Sequence, residues 1–529
     1  MIFNLSLPGW ARFVEVVRRV CGTGRSHRLI LFGFLGQSSK TKAMAAMTGV
    51  VHAQAGGSED TPARRGDLGR FREEFYGSLP ARADALFELT DAVLCAAGPV
   101  TSLVELTLVA EHRRGHGAMY DALNAGRVEP ARLRRALASL RLPRVAGRIV
   151  LAVDVSAWLR PDAPTSPDRL FCHVHGRAKG NAQMIPGWPY SFVAALESGR
   201  SSWTAMLDAV RLGPTDDATA VTASQLRGVV GRLVEAGHWQ PGDPNIVIVA
   251  DSGYDITRLA HVLADLPVEL VGRLRCDRVL RLPKPPRPPG ATGRPPKHGP
   301  EIALDTPATW PTPAHTTSTE TTRYGTAVAT SWDRVHPRLT RRGCWIDHDG
   351  DLPVIEGTLI RLQVDHLPGD RNPKPVWLWT SITGATAADV DRWWQAFLRR
   401  FDLEHTFRLF KQTLGWTAPK IRTPAAGDRW TWLIITAHTQ LRLARPLVAD
   451  LRRPWERPAA PDRLTPARVR RDFRNIRPTS LLPARAPKPS RPGPGRPLGS
   501  RNRHPATSHH VGKTVKRDET VTARRHRAG

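Results

Sequence analysis

The chain has 529 residues, too many for one ordinary domain, and its 41% apolar content is enough to bury at least one sizeable core. Lys and Arg number 77 against 48 Asp and Glu, a formal charge of +29. That balance excludes an acidic, self-solvating chain and favours a polyanionic partner, nucleic acid before an anionic membrane surface. Five cysteines (Cys21, Cys95, Cys172, Cys276 and Cys344) stand far apart without a CxxC pair, so neither a disulfide framework nor a cysteine zinc site is supported. No apolar run reaches the roughly 20 residues needed to span a bilayer. The stretch Leu29 to Leu35 makes a poor signal peptide, and the cytoplasm is the default location.

Residues 1–65 read as a poorly structured leader, with Met44 or Met47 as an alternative start. Residues 66–145 read as a small, Arg-rich helical domain. Ala81 to Ala97, Ser102 to Glu111, Ala118 to Leu123 and Ala131 to Leu140 carry apolar residues at three and four spacing. Gly98-Pro99, Gly115 to Gly117 and Glu129-Pro130 punctuate them. Two readings stand for this domain: a helix-turn-helix-like DNA binder, or a helical scaffold with a solvated basic face.

From Arg148 the texture changes. Ile149 to Val153 is a continuous β-branched and apolar run, suited to a strand buried on both faces, and it ends in Asp154. Arg169 to His175 and Tyr190 to Leu196 supply further strands, and Trp203 to Leu212 and Ala218 to Ala236 read as helices. Ile246 to Ala250 is another apolar strand, ending in Asp251. Between about 270 and 382 the chain turns β-rich and irregular. The Pro/Arg/Lys/Gly segment Pro283 to Pro300 comes first, then strands at Tyr324 to Trp332, Thr358 to Val364 and Val376 to Ile382. One long helix is predicted from Ala387 to about Leu414, and another over Trp430 to Leu443. Residues 452–529 hold 21 Lys and Arg against 5 Asp and Glu, and the segment from 451 reads as a disordered basic tail.

The two aspartates that close apolar strands carry the chemical argument. Functional groups gather at the carboxyl ends of parallel strands, so Asp154 and Asp251 are expected side by side. Two adjacent carboxylates repel unless a cation lies between them. Magnesium prefers such oxygen ligands, and a pair of ions roughly 4 Å apart activates water and stabilises a leaving oxygen in phosphodiester chemistry. The bland reading is an Asp that starts a turn or caps a helix. Downstream, Phe397, Arg400, Glu404, Arg408 and Lys411 step by three and four and share one helical face. A carboxylate flanked by cations suits a metal site that holds a phosphate, the cations clamping neighbouring phosphates. The bland reading is a solvated face with i,i+4 ion pairs.

Phe397-x2-Arg400-x3-Glu404-x6-Lys411 resembles the Tyr-x2-Arg-x3-Glu-x6-Lys signature of the DDE transposases of bacterial insertion sequences, in the group with a β-rich insertion before the catalytic Glu. Phe replaces Tyr, which removes one hydroxyl contact to phosphate. The segments LAVDVSAW around Asp154 and VIVADSGYD around Asp251 resemble that family's first and second Asp motifs. The resemblance spans roughly residues 70–450. It implies an α/β, RNase H-like catalytic core over about 146–450, with the β-rich insertion inside it. Asp154, Asp251 and Glu404 would hold two Mg2+ ions, Mn2+ being an acceptable substitute. Water and then a freed 3′ hydroxyl would attack phosphodiesters in double-stranded DNA, at transposon ends and in the target. Arg400 and Lys411 would grip the end DNA, with Phe397 and Arg408 on the same face. Trp332 and Trp345 are candidates for base stacking, against the commoner role of core tryptophans. Synapsis of two ends implies a homodimer on DNA, and DNA binding implies nucleoid association.

Smaller signals remain. Gly293-Arg294-Pro295 and Gly495-Arg496-Pro497 look like AT-hook cores, with Arg294 and Arg496 suited to a narrow minor groove. Asp255 reads as a helix cap, and Asp162 and Asp168 as loop residues. His173-Val174-His175 matches the His-hydrophobic-His pair of endonucleases that use a tyrosine nucleophile, for which Tyr254 is the available residue. The competing functions are therefore a non-catalytic DNA-binding regulator derived from a transposase, this tyrosine endonuclease, and an anionic-membrane binder.

Overall fold

The computed structural model describes residues 61–175, 182–477 and 482–512, apart from 200, 291, 323, 347, 367–372, 489–496 and 501–503. The leader up to residue 60, with Met44 and Met47, lies outside the described residues, as does Arg496. The described part opens with helices α1 (Thr61–Gly77), α2 (Ala83–Cys95), α3 (His116–Ala125) and α4 (Pro130–Ser139), with a single turn at Leu103–Leu106. The expected helix over Ser102 to Glu111 shrinks to that turn. Pro130 starts α4, where its missing N–H costs nothing.

The strands follow as β1 (Val150–Leu159), β2 (Leu170–His175), β3 (Ala182–Leu196) and β4 (Thr204–Arg211). Helix α5 (Ala218–Glu235), β5 (Ile246–Ala250), α6 (Ile256–Val262) and β6 (Val268–Leu274) complete the first half of the sheet. The irregular segment contributes β7 (Val279–Arg281), β8 (Glu301–Ala303), β9 (His315–Thr321), β10 (Gly325–Val335), β11 (Gly357–Val364) and β12 (Val376–Thr380). Four helices close the chain: α7 (Ala387–Arg399), α8 (Phe401–Gln412), α9 (Pro424–Ala444) and α10 (Pro466–Ile476).

One ten-stranded sheet organises the molecule, in the order β2-β3-β1-β5-β6-β12-β11-β10-β9, with β4 also paired to β3. Strands β1, β5 and β6 run parallel, and β3 and β4 join antiparallel beyond β1. This mixed α/β arrangement is consistent with an RNase H-like core. The β-rich insertion is not a separate body. Strand β12 pairs antiparallel with β6, so β9 to β12 prolong the same sheet, and only the hairpin β7-β8 stands apart.

Three expectations need correction. Trp203 to Leu212 is strand β4, not a helix. Met206 and Ala209 pack into the core on one face while Ala205 and Leu207 pack into the core on the other. A strand covered on both faces has no polar alternation to distinguish it from a buried helix. Second, the helical segment 66–145 is not an independent domain, because it shares one core with α9 and α10. Every residue of α2 from Ala85 to Cys95 is buried. Its Asp91 accepts two hydrogen bonds from Arg72, at 2.8 and 3.0 Å, and one from Arg477 just past α10, at 2.8 Å. Third, the tail does not begin at 451. Val469 and Phe473 of α10 are fully buried, and Arg470 donates to the carbonyls of Val93 and Gly98. Farther on, the Gly512 N–H donates to the Arg169 carbonyl at 2.8 Å, beside the edge strand β2.

Candidate active site

Asp154 and Asp251 come together through sheet register. Strands β1 and β5 are parallel, with Val153 opposite Ala250. The next residues are the two aspartates, on strands that neighbour each other at about 4.8 Å. Asp251 does follow the last residue of its strand. Asp154 does not: β1 continues five residues further, because its outer half pairs with β3, Asp154 opposite Phe192. Here the antiparallel partner extends the strand beyond the parallel one.

Glu404 arrives from the other side of the chain. The single helix expected from Ala387 to Leu414 is broken at Arg400, which ends α7 and precedes α8. Glu404 lies in the first turn of α8, beside Arg400. The Arg400 guanidinium stands between the three carboxylates. It donates to Asp154 Oδ2 at 2.6 Å and to Glu404 Oε1 at 3.1 Å, and its Nη2 lies 3.9 Å from Asp251 Oδ1. Asp154 Oδ1 accepts the Val155 N–H at 2.8 Å. The buried Oδ1 of Asp251 has no hydrogen-bond partner.

Electrostatics follow from this crowding. Burial pushes the Asp154 carboxyl up to about 6, Asp251 and Glu404 adding to the rise and Arg400 opposing it. Glu404 is raised as well, first by burial and then by Asp251, with Arg400 and Arg408 pulling it down. Arg400 is held firmly cationic by the three acids, against the effect of its burial. Three carboxylates against one guanidinium leave a local excess of negative charge. Among the described residues, no three His, Cys, Asp or Glu side chains already converge as a ligand set. The all-oxygen donors, the orphaned Asp251 oxygen and the raised Asp154 nevertheless fit a hard divalent cation, for which Arg400 is the present occupant of the centre.

The remaining predicted residues divide. Arg408 and Lys411 both present surface on α8, although the Lys411 ammonium is tucked inward toward Trp416. The Lys411 ammonium lies 5.7 Å from the centre of the Trp416 ring, and desolvation lowers its pKa while Asp154 opposes that shift. Phe397 does not share their surface. It is 4% exposed, and its ring backs the Arg400 guanidinium at 5.7 Å. The periodicity that put it beside Arg408 fails at the helix break. Neither tryptophan offers a free face to a base. Trp332 is 4% exposed and packs between Trp310 and Trp377, its indole N–H donating to Pro311 at 2.8 Å. Trp345 is 8% exposed, against His261 and His348. Arg294 is exposed in the Pro-rich stretch. Asp255 caps α6, accepting the Arg258 N–H, and Asp162 pairs with Lys420 at the surface. Asp168 stands at a left-handed backbone position and reaches Arg211 at 3.7 Å.

Tyr254 is the neighbour that the sequence motifs leave without a role here. Its hydroxyl is buried, and burial and the Asp154 charge hold it well above the ordinary tyrosine range. Its position three residues after Asp251 in DSGYD is the available signal. A hydroxyl so enclosed stays protonated and away from solvent, which gives the tyrosine-endonuclease reading no support here. Among the described residues no helix is long and apolar enough to cross a bilayer.

No curated protein matches the chain. The family described as DDE superfamily endonuclease matches residues 74–338, a span that holds Asp154 and Asp251 and ends before Glu404. With the two aspartates adjacent in register, and half of the sequence matched, the chain belongs to the DDE superfamily of endonucleases.

Proposed function

We propose that this endonuclease is a DNA transposase, which cleaves transposon ends and joins them to target DNA. The observation that carries the reading is the meeting of Asp154, Asp251 and Glu404 at a single guanidinium, from three separate segments of the chain. DDE endonuclease domains usually employ divalent metal ions, and here Mg2+ is proposed, with Mn2+ as a substitute. The three carboxylates would hold the ions, which supply activation of the attacking oxygen and neutralisation of the leaving one. The chain's own side chains do the rest. Arg408 and Lys411, on α8 beside the acids, bind the phosphates on either side of the scissile one as fork and point donors. Phe397 and Phe401 line the Arg400 guanidinium from behind, at 5.7 and 5.5 Å. Strands β1 and β5 hold the two aspartates on rigid backbone, so their separation is set before DNA arrives. The charge of +29 supplies non-specific attraction to DNA, and synapsis of two ends calls for a homodimer.

The test is cleavage and strand transfer of end-containing duplex DNA in Mg2+. Asp251→Ala and Glu404→Gln are expected to reduce both by at least about a thousandfold while changing DNA affinity little. If the parent protein bound the same DNA and never cut it, the non-catalytic regulator would be the correct reading.

A further inference from the structure

A guanidinium at the centre of a metal-binding set of carboxylates has a consequence for how the site is loaded. We propose that Arg400 is a resident cation that keeps the acidic cluster closed to divalent metal until a DNA phosphate draws its guanidinium away. The inference rests on the nuclease reading above and adds an order of events to it. Nη1 of Arg400 occupies Asp154 Oδ2 at 2.6 Å, and Nη2 occupies Glu404 Oε1 at 3.1 Å and faces Asp251 Oδ1 at 3.9 Å. These are the oxygens a metal would need. A dication and a guanidinium within a few ångströms of the same oxygens repel each other, so the two are alternatives.

Two features make the guanidinium displaceable. Its hydrogen bonding is incomplete: Nε is buried without a partner, and Asp251 Oδ1 on the facing side has none either. A hold with unsatisfied polar atoms on both sides is weaker than a fork fully paired to one carboxylate. Arg400 also sits at the junction of α7 and α8, where its N–H bonds to the Phe397 carbonyl at 3.0 Å in a tighter turn than the α-helical ladder. A phosphate arriving at Arg408 and Lys411, about two and three turns beyond Arg400, offers the same fork a second partner of like charge. The net charge of the cluster fits the exchange. Three carboxylates and one arginine carry an excess of two negative charges, and removal of the arginine leaves a stronger anionic site for the incoming dication.

The experiment measures binding of Mn2+ alone to the full-length protein, by the loss of its free electron paramagnetic resonance signal, with and without a short DNA duplex. Wild type is expected to bind Mn2+ weakly by itself and about tenfold more tightly with duplex, a coupling of ordinary allosteric size. Arg400→Gln is expected to bind Mn2+ about tenfold more tightly without DNA and to gain nothing from duplex. Arg400→Lys keeps the charge but has one nitrogen in place of the two that reach Asp154 and Glu404, so it should fall between the two. It also serves if Arg400→Gln does not fold. Mn2+ affinity in the Arg400 variants equal to or below that of wild type would overturn the proposal while leaving the endonuclease reading intact. Mn2+ binding indifferent to Asp251→Asn in either background would refute the metal site itself, and this proposal with it.

Discussion

His438 sits in the middle of α9, fully buried between the rings of Trp203 and Phe410 at 5.7 and 5.4 Å, with neither ring nitrogen hydrogen-bonded. Burial, seconded by the Arg442 charge, lowers its pKa to about 3. The folded chain therefore keeps this imidazole neutral, while the unfolded chain takes up a proton near pH 6.5. Its contribution to stability is complete above pH 6.5 and is lost as the pH falls toward 3, with a slope approaching about 1.4 kcal/mol per pH unit between those limits. His438→Phe should remove this component. Thermal melts of the two proteins from pH 8 to pH 4.5 should show the variant gaining on wild type only below about pH 6.5; parallel curves would refute it. The residue scale also shows what a motif can hide. Asp154, Asp251 and Glu404 were legible as acids in suggestive surroundings, but Phe397 was read as a surface residue and is a packing partner of Arg400.

At the scale of elements, the sequence located most helices and strands and misjudged those whose identity depends on neighbours. Strand β4 is apolar on both faces because α9 covers one side and α5 the other. Asp208 within it is buried between Arg134 and Arg232, at 2.8 and 2.9 Å. No local pattern announces that pair. The interruption at Arg400 is equally silent, since no Gly or Pro marks it. Helix α10 follows the same logic: its composition is polar and basic, yet its apolar edge closes the helical layer. Phe473→Ala should destabilise the protein by about 3–5 kcal/mol, as expected for emptying a fully buried aromatic site. Chemical denaturation would check it, and a loss below about 1 kcal/mol would show that α10 is dispensable to that core.

For the whole molecule the governing quantity is charge. Part of the arginine in the helical layer is engaged by buried acids, Arg72 by Asp91 and Arg134 by Asp208, so it is not available to phosphates. Residues 478–529, by contrast, carry twelve Lys and Arg against two acids. Deleting them should weaken non-specific DNA binding and flatten its dependence on salt, because fewer counterions are released. The cut belongs after Arg477, since a cut near 452 would also remove α10. Titrations at several salt concentrations decide the matter, and an unchanged slope would exclude the segment from phosphate contact.

Composition and spacing alone determined the polyanionic partner, the apolar strands before Asp154 and Asp251, and the helical position of Glu404, because these are properties of charge and periodicity that need no neighbours. Tertiary structure decided that the insertion extends one sheet, that the first helices and α10 share a core, and that an arginine occupies the centre of the acids. Each of those outcomes depends on pairing or burial between residues hundreds of positions apart, and the energy of such contacts is absent from any local stretch of sequence.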